Sequence, residues 1–198
     1  MQGNPFGVPG LNVGLLGGSF DPPHEGHVII TKQAIKVFNL SKLWWLISPR
    51  NPIKKITPSE INKRLIACKK IITHPSVTIT DIEKKLKSNF TAQTLFKIKR
   101  LYPGIKFVWL MGADNLVNFH HWENWDWIMK NVPIGVLARP GEQIKAGLSP
   151  AATRFRKFRI PREKSLLLPY LKPPVWTLII GPMKAISSTN IREKGLWP

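Results

Sequence analysis

The segment from Gly17 to His27 holds the residue types in this sequence that are best suited to chemistry on a phosphate. It reads Gly-Gly-Ser-Phe-Asp-Pro-Pro-His-Glu-Gly-His and lies between an apolar run, 13–16, and a helical pattern. A strand-to-helix turn presents unpaired backbone N–H groups and the positive end of the helix dipole, which together favour an anion. The spacing of His24 and His27 places both imidazoles on one face of the first helical turn. The segment is therefore a candidate phosphate site.

A second cluster of anion-binding residue types lies near the other end of the chain. The stretch from Ile186 to Arg192 reads Ile-Ser-Ser-Thr-Asn-Ile-Arg and opens a predicted helix. Its Ser and Thr residues offer hydroxyl and backbone N–H donors, and Arg192 adds a planar cation whose geometry suits a phosphate. A Ser/Thr cluster alone is more often a capped surface helix. Paired with the first motif, however, it favours a phosphate-binding function.

Both motifs resemble the signatures of the nucleotidyltransferase superfamily, Gly-x-Phe-Asp-Pro-x-His-x-Gly-His and Ile-Ser-Ser-Thr-x-x-Arg. Members of this superfamily transfer a nucleotidyl group from a nucleoside triphosphate to an acceptor that carries a phosphate. The resemblance implies that His24, His27 and Arg192 are catalytic. It further implies that the ATP-binding residues are these three together with Gly17, Gly18, Ser19, Phe20, Asp114, Ser187, Ser188 and Thr189. Mg²⁺ is expected on the ATP phosphates, with few protein ligands and no dedicated metal site.

The middle of the sequence narrows the resemblance to one family. It contains, in order, Phe-Thr-Ala-Gln-Thr-Leu from Phe90, Met-Gly-Ala-Asp-Asn-Leu from Met111, Phe-His-His-Trp from Phe119 and Ala-Arg-Pro-Gly from Ala138. These segments follow the order found in bacterial nicotinate-mononucleotide adenylyltransferases. The likeness implies an enzyme of NAD biosynthesis that joins the adenylyl group of ATP to nicotinate mononucleotide, giving deamido-NAD and pyrophosphate.

The same resemblance implies where the acceptor binds. The nicotinate-nucleotide-binding residues expected from it are Lys54, Phe90, Thr91 and Trp122. Trp122 is expected to stack on the pyridine ring, while Thr91, at the start of a predicted helix, is expected to present its amide to the nicotinate carboxylate. Asp114 is expected to bind a ribose hydroxyl.

Two other functions fit parts of the same pattern. One is a related nucleotidyltransferase that acts on nicotinamide mononucleotide or on pantetheine phosphate. The other, of a different class, is an RNA-binding protein on this fold, suggested by the basic charge and by the similarity of His-x-Gly-His to tRNA-synthetase motifs. Against it, a chain of 198 residues has no room for an anticodon-type domain.

The charge of the chain is strongly positive, with 30 Lys and Arg residues against 11 Asp and Glu and a net charge of +19. Such a balance by itself suggests nucleic acid or an anionic surface as partner. The basic residues are nevertheless scattered rather than gathered in one block. We therefore expect solvated lysine-rich faces first, steering of polyanionic nucleotides second and dedicated nucleic-acid binding last. The predicted partners are ATP and nicotinate mononucleotide, with no specific nucleic acid and no membrane.

Length and composition predict one globular domain over residues 11–198, preceded by a loose leader at 1–10 that is rich in Gly and Pro. The longest apolar runs are too short to span a bilayer, and no signal-peptide pattern opens the chain, so a cytoplasmic location is expected. Cys68 is the single cysteine and lies on the apolar face of a predicted helix that begins at a capping box, 57–60. It is expected to be a buried thiol.

Apolar runs and helical patterns alternate along the whole sequence. Strands are predicted at 13–16, 43–47, 77–82, 106–111, 132–137 and 175–180. This alternation predicts an α/β fold with a doubly wound, largely parallel sheet of the Rossmann-like nucleotidyltransferase type, whose ligands bind at the carboxyl ends of the strands. Asp81 and Glu83 lie in the polar segment at the end of the third strand. This segment is interpreted either as an edge of the sheet or as part of the wall of the ligand site. Residues 142–173 yield no clear prediction.

Overall fold

A computed structural model describes residues 4–49, 57–138, 141–181 and 186–197 of the chain. Its centre is a six-stranded sheet in which the strand order is β3-β2-β1-β4-β5-β6 and every pairing is parallel. The strands are β1 (Asn12–Gly18), β2 (Lys42–Ile47), β3 (Val77–Thr80), β4 (Lys106–Gly112), β5 (Ile134–Ala138) and β6 (Trp176–Ile180). The predicted doubly wound α/β fold is confirmed, and each of the six predicted strands is present.

Helices connect the strands and cover both faces of the sheet. They are α1 (Glu25–Val37), α2 (Ile61–Ile71), α3 (Ile82–Lys85), α4 (Thr91–Leu101), α5 (Ala113–Asn118), α6 (Trp125–Asn131), α7 (Gln143–Gly147), α8 (Pro150–Arg154) and α9 (Ser188–Glu193). Short 3₁₀ segments lie at Phe119–His121, Arg156–Phe158 and Arg162–Tyr170. The region 142–173 thus consists of short helical pieces. Within the described ranges, none of the helices has the length and apolarity needed to cross a membrane.

Two apolar layers hold the sheet between its helices. Neighbouring strand residues face opposite layers, so Trp44 packs in one layer and Trp45 in the other, and both are fully buried. The first layer contains residues of α4 to α8, and the second contains residues of α1 and α2. A parallel sheet covered on both faces needs apolar side chains on both sides, which is why its strands read as continuous apolar runs.

The order of the strands reverses direction at β1, which lies between β2 and β4. In sheets of this type the crossovers before and after such a switch point run to opposite faces, which leaves a crevice at the carboxyl ends of the two central strands. Leu16 of β1 is aligned with Leu110 of β4, so the turns that follow these strands open side by side. The Gly17 to His27 segment is one of those turns.

The first described residues contact the end of α4 and the turn that follows it. Tyr102 donates a hydrogen bond from its hydroxyl to the carbonyl of Pro5 at 2.8 Å, and the Gly10 amide donates to the carbonyl of Gly104 at 2.9 Å. The end of α4 and the turn after it therefore supply partners to residues 4–10 that no local sequence pattern reveals.

The helix that carries Cys68 begins three residues later than the predicted capping box implies. Its N-cap residue is Glu60, and no side-chain cap is formed. Ser59 is engaged elsewhere, since its amide donates to Asp21 Oδ2 at 3.2 Å. The expected burial of Cys68 is confirmed, and that burial raises the pKa of the thiol to about 12.

Candidate functional site

A cavity of about 290 Å³ opens at the carboxyl ends of β1 and β4. Its wall is made by the turns after these strands, the start of α4 and the start of α9. The predicted site residues in this wall are Gly17, Gly18, Ser19, Phe20, His24, His27, Phe90, Thr91, Asp114, Trp122, Ser187, Ser188 and Thr189. The fold thus brings together, around one cavity, motifs from opposite ends of the sequence.

One predicted site residue within the described ranges, Arg192, is not part of this wall. Lys54 lies outside the described residues. The Arg192 guanidinium lies beside the cavity, where Nη1 donates to the carbonyl of Asp21 and Nη2 donates to Thr189 Oγ1 at 3.4 Å. Arg192 thereby contacts the backbone of the Gly17 to His27 segment, the histidine turn. Its role at the ATP phosphates stays a prediction.

His24 and His27 form a close pair at the start of α1, with ring centroids 3.9 Å apart. His24 is the N-cap residue, and its backbone amide donates to His27 Nδ1 at 3.1 Å. A ring nitrogen that accepts a hydrogen bond carries no proton, so neutral His27 has its proton on Nε2. Gly26 leaves room for this pair, because a Cβ there would lie 2.9 Å from the His24 ring. His27 is thereby held as an Nε2–H donor.

Phe20 holds the His27 ring from the sheet side. It is 1% exposed, and its ring centroid lies 4.7 Å from His27 and 4.7 Å from Trp45 of β2. Trp45 is itself fixed by an indole hydrogen bond to Thr31 Oγ1 at 2.8 Å. Phe20 has a φ of 46°, a left-handed conformation that a bulky residue adopts only when its surroundings enforce it. The turn therefore has a defined shape that packing maintains.

The Ser-Ser-Thr cluster meets this turn through α9. Ser187 is the N-cap of α9, and its hydroxyl accepts the Asn190 amide at 3.1 Å. Ser188 donates from its hydroxyl to the carbonyl of Pro22 at 2.8 Å. The predicted last helix is confirmed, and its first turn is joined directly to the histidine turn. Donors from both motifs consequently share one wall of the cavity.

The opposite part of the wall is apolar and aromatic, with one helix terminus. Thr91 is the first residue of α4 and Phe90 is its N-cap, so the amides of the first turn have no partner within the helix. Trp122 is half-buried and is held edge-on by Trp109 at 6.3 Å and Phe119 at 5.2 Å between ring centroids. Such a site offers an aromatic platform next to donors that favour negative charge.

Asp114 marks the end of β4 in the cavity wall. It lies in the first turn of α5 and is exposed to solvent. A side chain on Gly112 would collide with the Asp114 carboxylate, so the glycine allows the carboxylate to fold back over the end of the strand. An exposed carboxylate at this position is available to accept hydrogen bonds from hydroxyl groups.

Glu83 belongs to the cavity wall, and the strand before it, β3, is an edge strand of the sheet, so both interpretations of this segment apply. It is 7% exposed, and its carboxyl accepts a hydrogen bond from Thr94 Oγ1 at 3.4 Å. Thr94 in turn lies 2.9 Å from Ser88 Oγ. Burial raises the pKa of Glu83 to about 7, although hydrogen bonds from Ser48 and Thr94 act in the opposite direction. Glu83 is therefore a buried acid that titrates near neutral pH.

Replacing Glu83 with glutamine is expected to remove a pH-dependent loss of stability. Folded Glu83 keeps its proton up to about pH 7, whereas the unfolded chain releases it near 4.5. The contribution of Glu83 to stability is therefore fully present below pH 4.5 and is lost as the pH rises to about 7. The free energy of unfolding lost over this pH range is about 3 kcal/mol at most. Urea unfolding would be measured at about pH 5 and about pH 8. The free energy of unfolding of Glu83→Gln, relative to that of the wild type, should be higher at about pH 8 than at about pH 5. The control Glu163→Gln, at an exposed position, should show no such change with pH. If Glu83→Gln differs from the wild type by the same free energy at both pH values, the raised pKa of Glu83 is contradicted.

Arg64 connects the turns that follow β1 and β2 next to the cavity. No motif in the sequence indicates this role. It is 1% exposed and donates four hydrogen bonds to backbone carbonyls: Nε to Ser59 at 2.7 Å, Nη1 to Ser19 and Ser48, both at 2.7 Å, and Nη2 to Pro49 at 3.3 Å. A guanidinium has five N–H donors in a fixed fork, which suits several acceptors at once. Arg64 therefore sets the spacing of the turns after β1 and β2.

Arg64→Met is expected to destabilise the folded protein by about 3 kcal/mol, since it leaves buried carbonyls without their donor. Chemical denaturation measures this loss directly. Lys70→Met is the matched control, because it removes a cation from the same helix at an exposed position. A loss no larger for Arg64→Met than for Lys70→Met contradicts the role given to Arg64.

Comparison with known proteins places the whole chain in one family. A family model described as cytidylyltransferase-like matches residues 15–194. A protein of Ruegeria sp. (strain TM1040), named probable nicotinate-nucleotide adenylyltransferase, is 52% identical over 187 residues, which cover 94% of this chain and 99% of that protein. A protein of Ruegeria pomeroyi with the same name is 46% identical over 196 residues, covering 99% of this chain and 92% of that protein.

A solved structure shares the fold. It is the Plasmodium falciparum nicotinic acid mononucleotide adenylyltransferase complexed with NaAD, with a TM-score of 0.67 over 92% of this chain and 83% of that one, at 20% sequence identity. The two Ruegeria proteins match this chain almost from end to end, which confirms the resemblance found in its motifs. The chain therefore belongs to the nicotinate-nucleotide adenylyltransferase family of cytidylyltransferase-like proteins.

Proposed function

We propose that this protein transfers the adenylyl group of ATP to nicotinate mononucleotide, giving deamido-NAD and pyrophosphate. The observation that carries this proposal is that residues of both phosphate motifs and Trp122 line the same cavity. A nucleoside triphosphate and a phosphate-bearing pyridine nucleotide would meet there. The names of the relatives support the same reaction.

The reaction needs no nucleophile from the protein. A phosphate oxygen of nicotinate mononucleotide attacks the α-phosphorus of ATP and forms a new P–O bond. The bond from the α-phosphorus to the oxygen bridging it to the β-phosphate breaks, and that oxygen leaves with the electron pair as part of pyrophosphate. The task of the protein is therefore to position the two phosphates and to stabilise the charge that develops.

The histidine turn would perform this task on the ATP phosphates. His27 would direct its Nε2–H at the α-phosphate, since the His24 amide already holds Nδ1. His24 would act beside it, and the backbone of Gly17, Gly18, Ser19 and Phe20 would line the phosphate path. The hydroxyls and amides of Ser187, Ser188 and Thr189 would supply donors from the facing element. Such donors act in the transition state without reorganising.

Two cationic side chains would help to bind the ATP phosphates near the histidine turn. The Arg192 contacts with Asp21 and Thr189 use two of the five guanidinium N–H groups, so the remaining donors would reach an incoming phosphate. Lys54, outside the described residues, is proposed as a further cation on the nucleotide phosphates. The net charge of +19 would raise the rate at which polyanionic substrates reach the cavity.

The acceptor and the ribose would occupy the other parts of the wall. We assign the nicotinate carboxylate to the amide of Thr91 at the start of α4, next to Phe90, and the pyridine ring to the face of Trp122. Asp114 would accept a hydrogen bond from a ribose hydroxyl. Because His27 lines the same cavity, the acceptor phosphate would then face the histidine turn.

The metal ion would come with ATP. Among the residues described, no three His, Cys, Asp or Glu side chains form a group that could hold a metal. We expect Mg²⁺ to be bound mainly by phosphate oxygens and water, which is how that ion is commonly held on nucleotides. Bound there, it would neutralise phosphate charge while His24 and His27 orient the phosphates.

Pyrophosphate release measured across a panel tests the proposal. ATP and CTP would each be combined with nicotinate mononucleotide, nicotinamide mononucleotide and pantetheine phosphate. The expected result is fast release from ATP with nicotinate mononucleotide and much slower release from every other pair. Preference for CTP or for pantetheine phosphate refutes the assignment.

A further inference from the structure

Trp197 contacts the histidine turn from the far end of the chain. Its indole Nε1–H lies 2.7 Å from Asp21 Oδ1 and 3.2 Å from Ser59 Oγ. The ammonium of Lys63 lies 4.8 Å from the centroid of the Trp197 ring, a cation–π contact. Trp197 thus joins the C-terminal segment to the turn before α1 and to the beginning of α2.

Asp21 is the centre of this group. It is 4% exposed, and Oδ2 accepts the Ser59 amide at 3.2 Å while Oδ1 accepts the Trp197 indole. Burial acts to raise the pKa of the Asp21 carboxyl, but the hydrogen bonds from Trp197 and Ser59 outweigh it, and the pKa lies below its usual value. A buried carboxylate requires such donors, because an unsatisfied charge is costly to bury.

The same C-terminal segment touches the turn at two other points. Ser188 donates to the carbonyl of Pro22 at 2.8 Å, and Arg192 donates to the carbonyl of Asp21. Ser188 lies at the start of α9, Arg192 lies near its end, and Trp197 lies beyond it. Contacts at both ends of a helix fix its direction, whereas a contact at one end alone would let it pivot.

We propose that Trp197 is a positioning residue, which holds Ser187, Ser188 and Thr189 against the histidine turn in the arrangement that receives the ATP phosphates. This inference rests on the proposed function for the identity of the ligand. Trp197 acts through Asp21 and α9, since it is not itself part of the cavity wall in the described structure.

The test uses Trp197→Phe, which keeps an aromatic ring for Lys63 but removes the indole donor. Trp127→Phe is the matched control, because Trp127 is also partly buried and lies outside the cavity wall. We expect Trp197→Phe to raise the dissociation constant for ATP about tenfold, because ATP must then itself order the start of α9 that the Trp197 hydrogen bond holds in the wild type. The KM for nicotinate mononucleotide should change less than about twofold, because that site lies on α4.

Amide hydrogen exchange provides a readout that needs no substrate. Trp197→Phe should speed exchange in the 186–192 peptide, and Trp127→Phe should not. Asp21→Ala combined with Trp197→Phe should weaken ATP binding no more than Asp21→Ala does alone, since either change removes the hydrogen bond between these two side chains. Additive effects, or unchanged ATP binding in Trp197→Phe, overturn the proposal. If the wild type transfers no adenylyl group but the exchange result holds, the positioning role stands and the proposed function fails.

Discussion

Replacing His27 with alanine is expected to lower kcat about 100-fold or more while changing the KM for ATP far less. The His24 amide fixes the His27 tautomer, and Phe20 fixes the ring, so the Nε2–H donor is in place before the substrate binds. A donor aimed at charge that develops on the α-phosphate acts mainly in the transition state. Its loss should therefore appear in turnover rather than in ground-state binding.

Steady-state kinetics with ATP varied at saturating nicotinate mononucleotide measures this effect. His121→Ala is the matched control, since His121 is exposed and is not part of the cavity wall. It should keep nearly normal turnover. If His27→Ala retains kcat and raises only the KM for ATP, His27 binds the nucleotide without stabilising the transition state, and the role proposed for it is wrong.

The specificity constant for nicotinate mononucleotide is expected to exceed that for nicotinamide mononucleotide about 100-fold or more. At the start of α4 a carboxylate meets amide donors and the positive end of the helix dipole. A neutral carboxamide meets the same donors without the charge and brings an NH₂ group that they cannot pair. Glu83, in the same wall, would oppose this preference when ionised, so the assay belongs below the pKa of about 7.

Trp122→Ala separates stacking from charge recognition. It should lower the specificity constant for both mononucleotides and leave their ratio less affected, because either pyridine ring can stack on an indole. Trp127→Ala is the control for loss of a partly buried tryptophan outside the cavity wall. Equal specificity constants for the two mononucleotides in the wild type would rule out charge recognition at Thr91 and indicate an enzyme that accepts both.

The elements of this fold could be predicted from the sequence because their signals are local. Buried parallel strands must be apolar on both faces, so runs such as 43–47 and 106–111 stand out without any tertiary information. The histidine turn is equally local, since its glycines, prolines and histidines are within eleven consecutive residues. The strand-to-helix position of that turn then places it at the carboxyl edge of the sheet, as observed.

What only the tertiary structure decided is which distant groups support the site. Trp197 and Asp21 are 176 positions apart, and Arg64 reaches Ser19 across 45 positions, so no periodicity connects either pair. The hydrogen bond of Arg192 likewise depends on a carbonyl acceptor of the histidine turn that only the fold places beside α9. Residue types and spacing determine which chemistry is available, because they reflect local backbone geometry. The partners that orient those groups depend on where the packed sheet brings separate loops together, and that is a property of the whole fold.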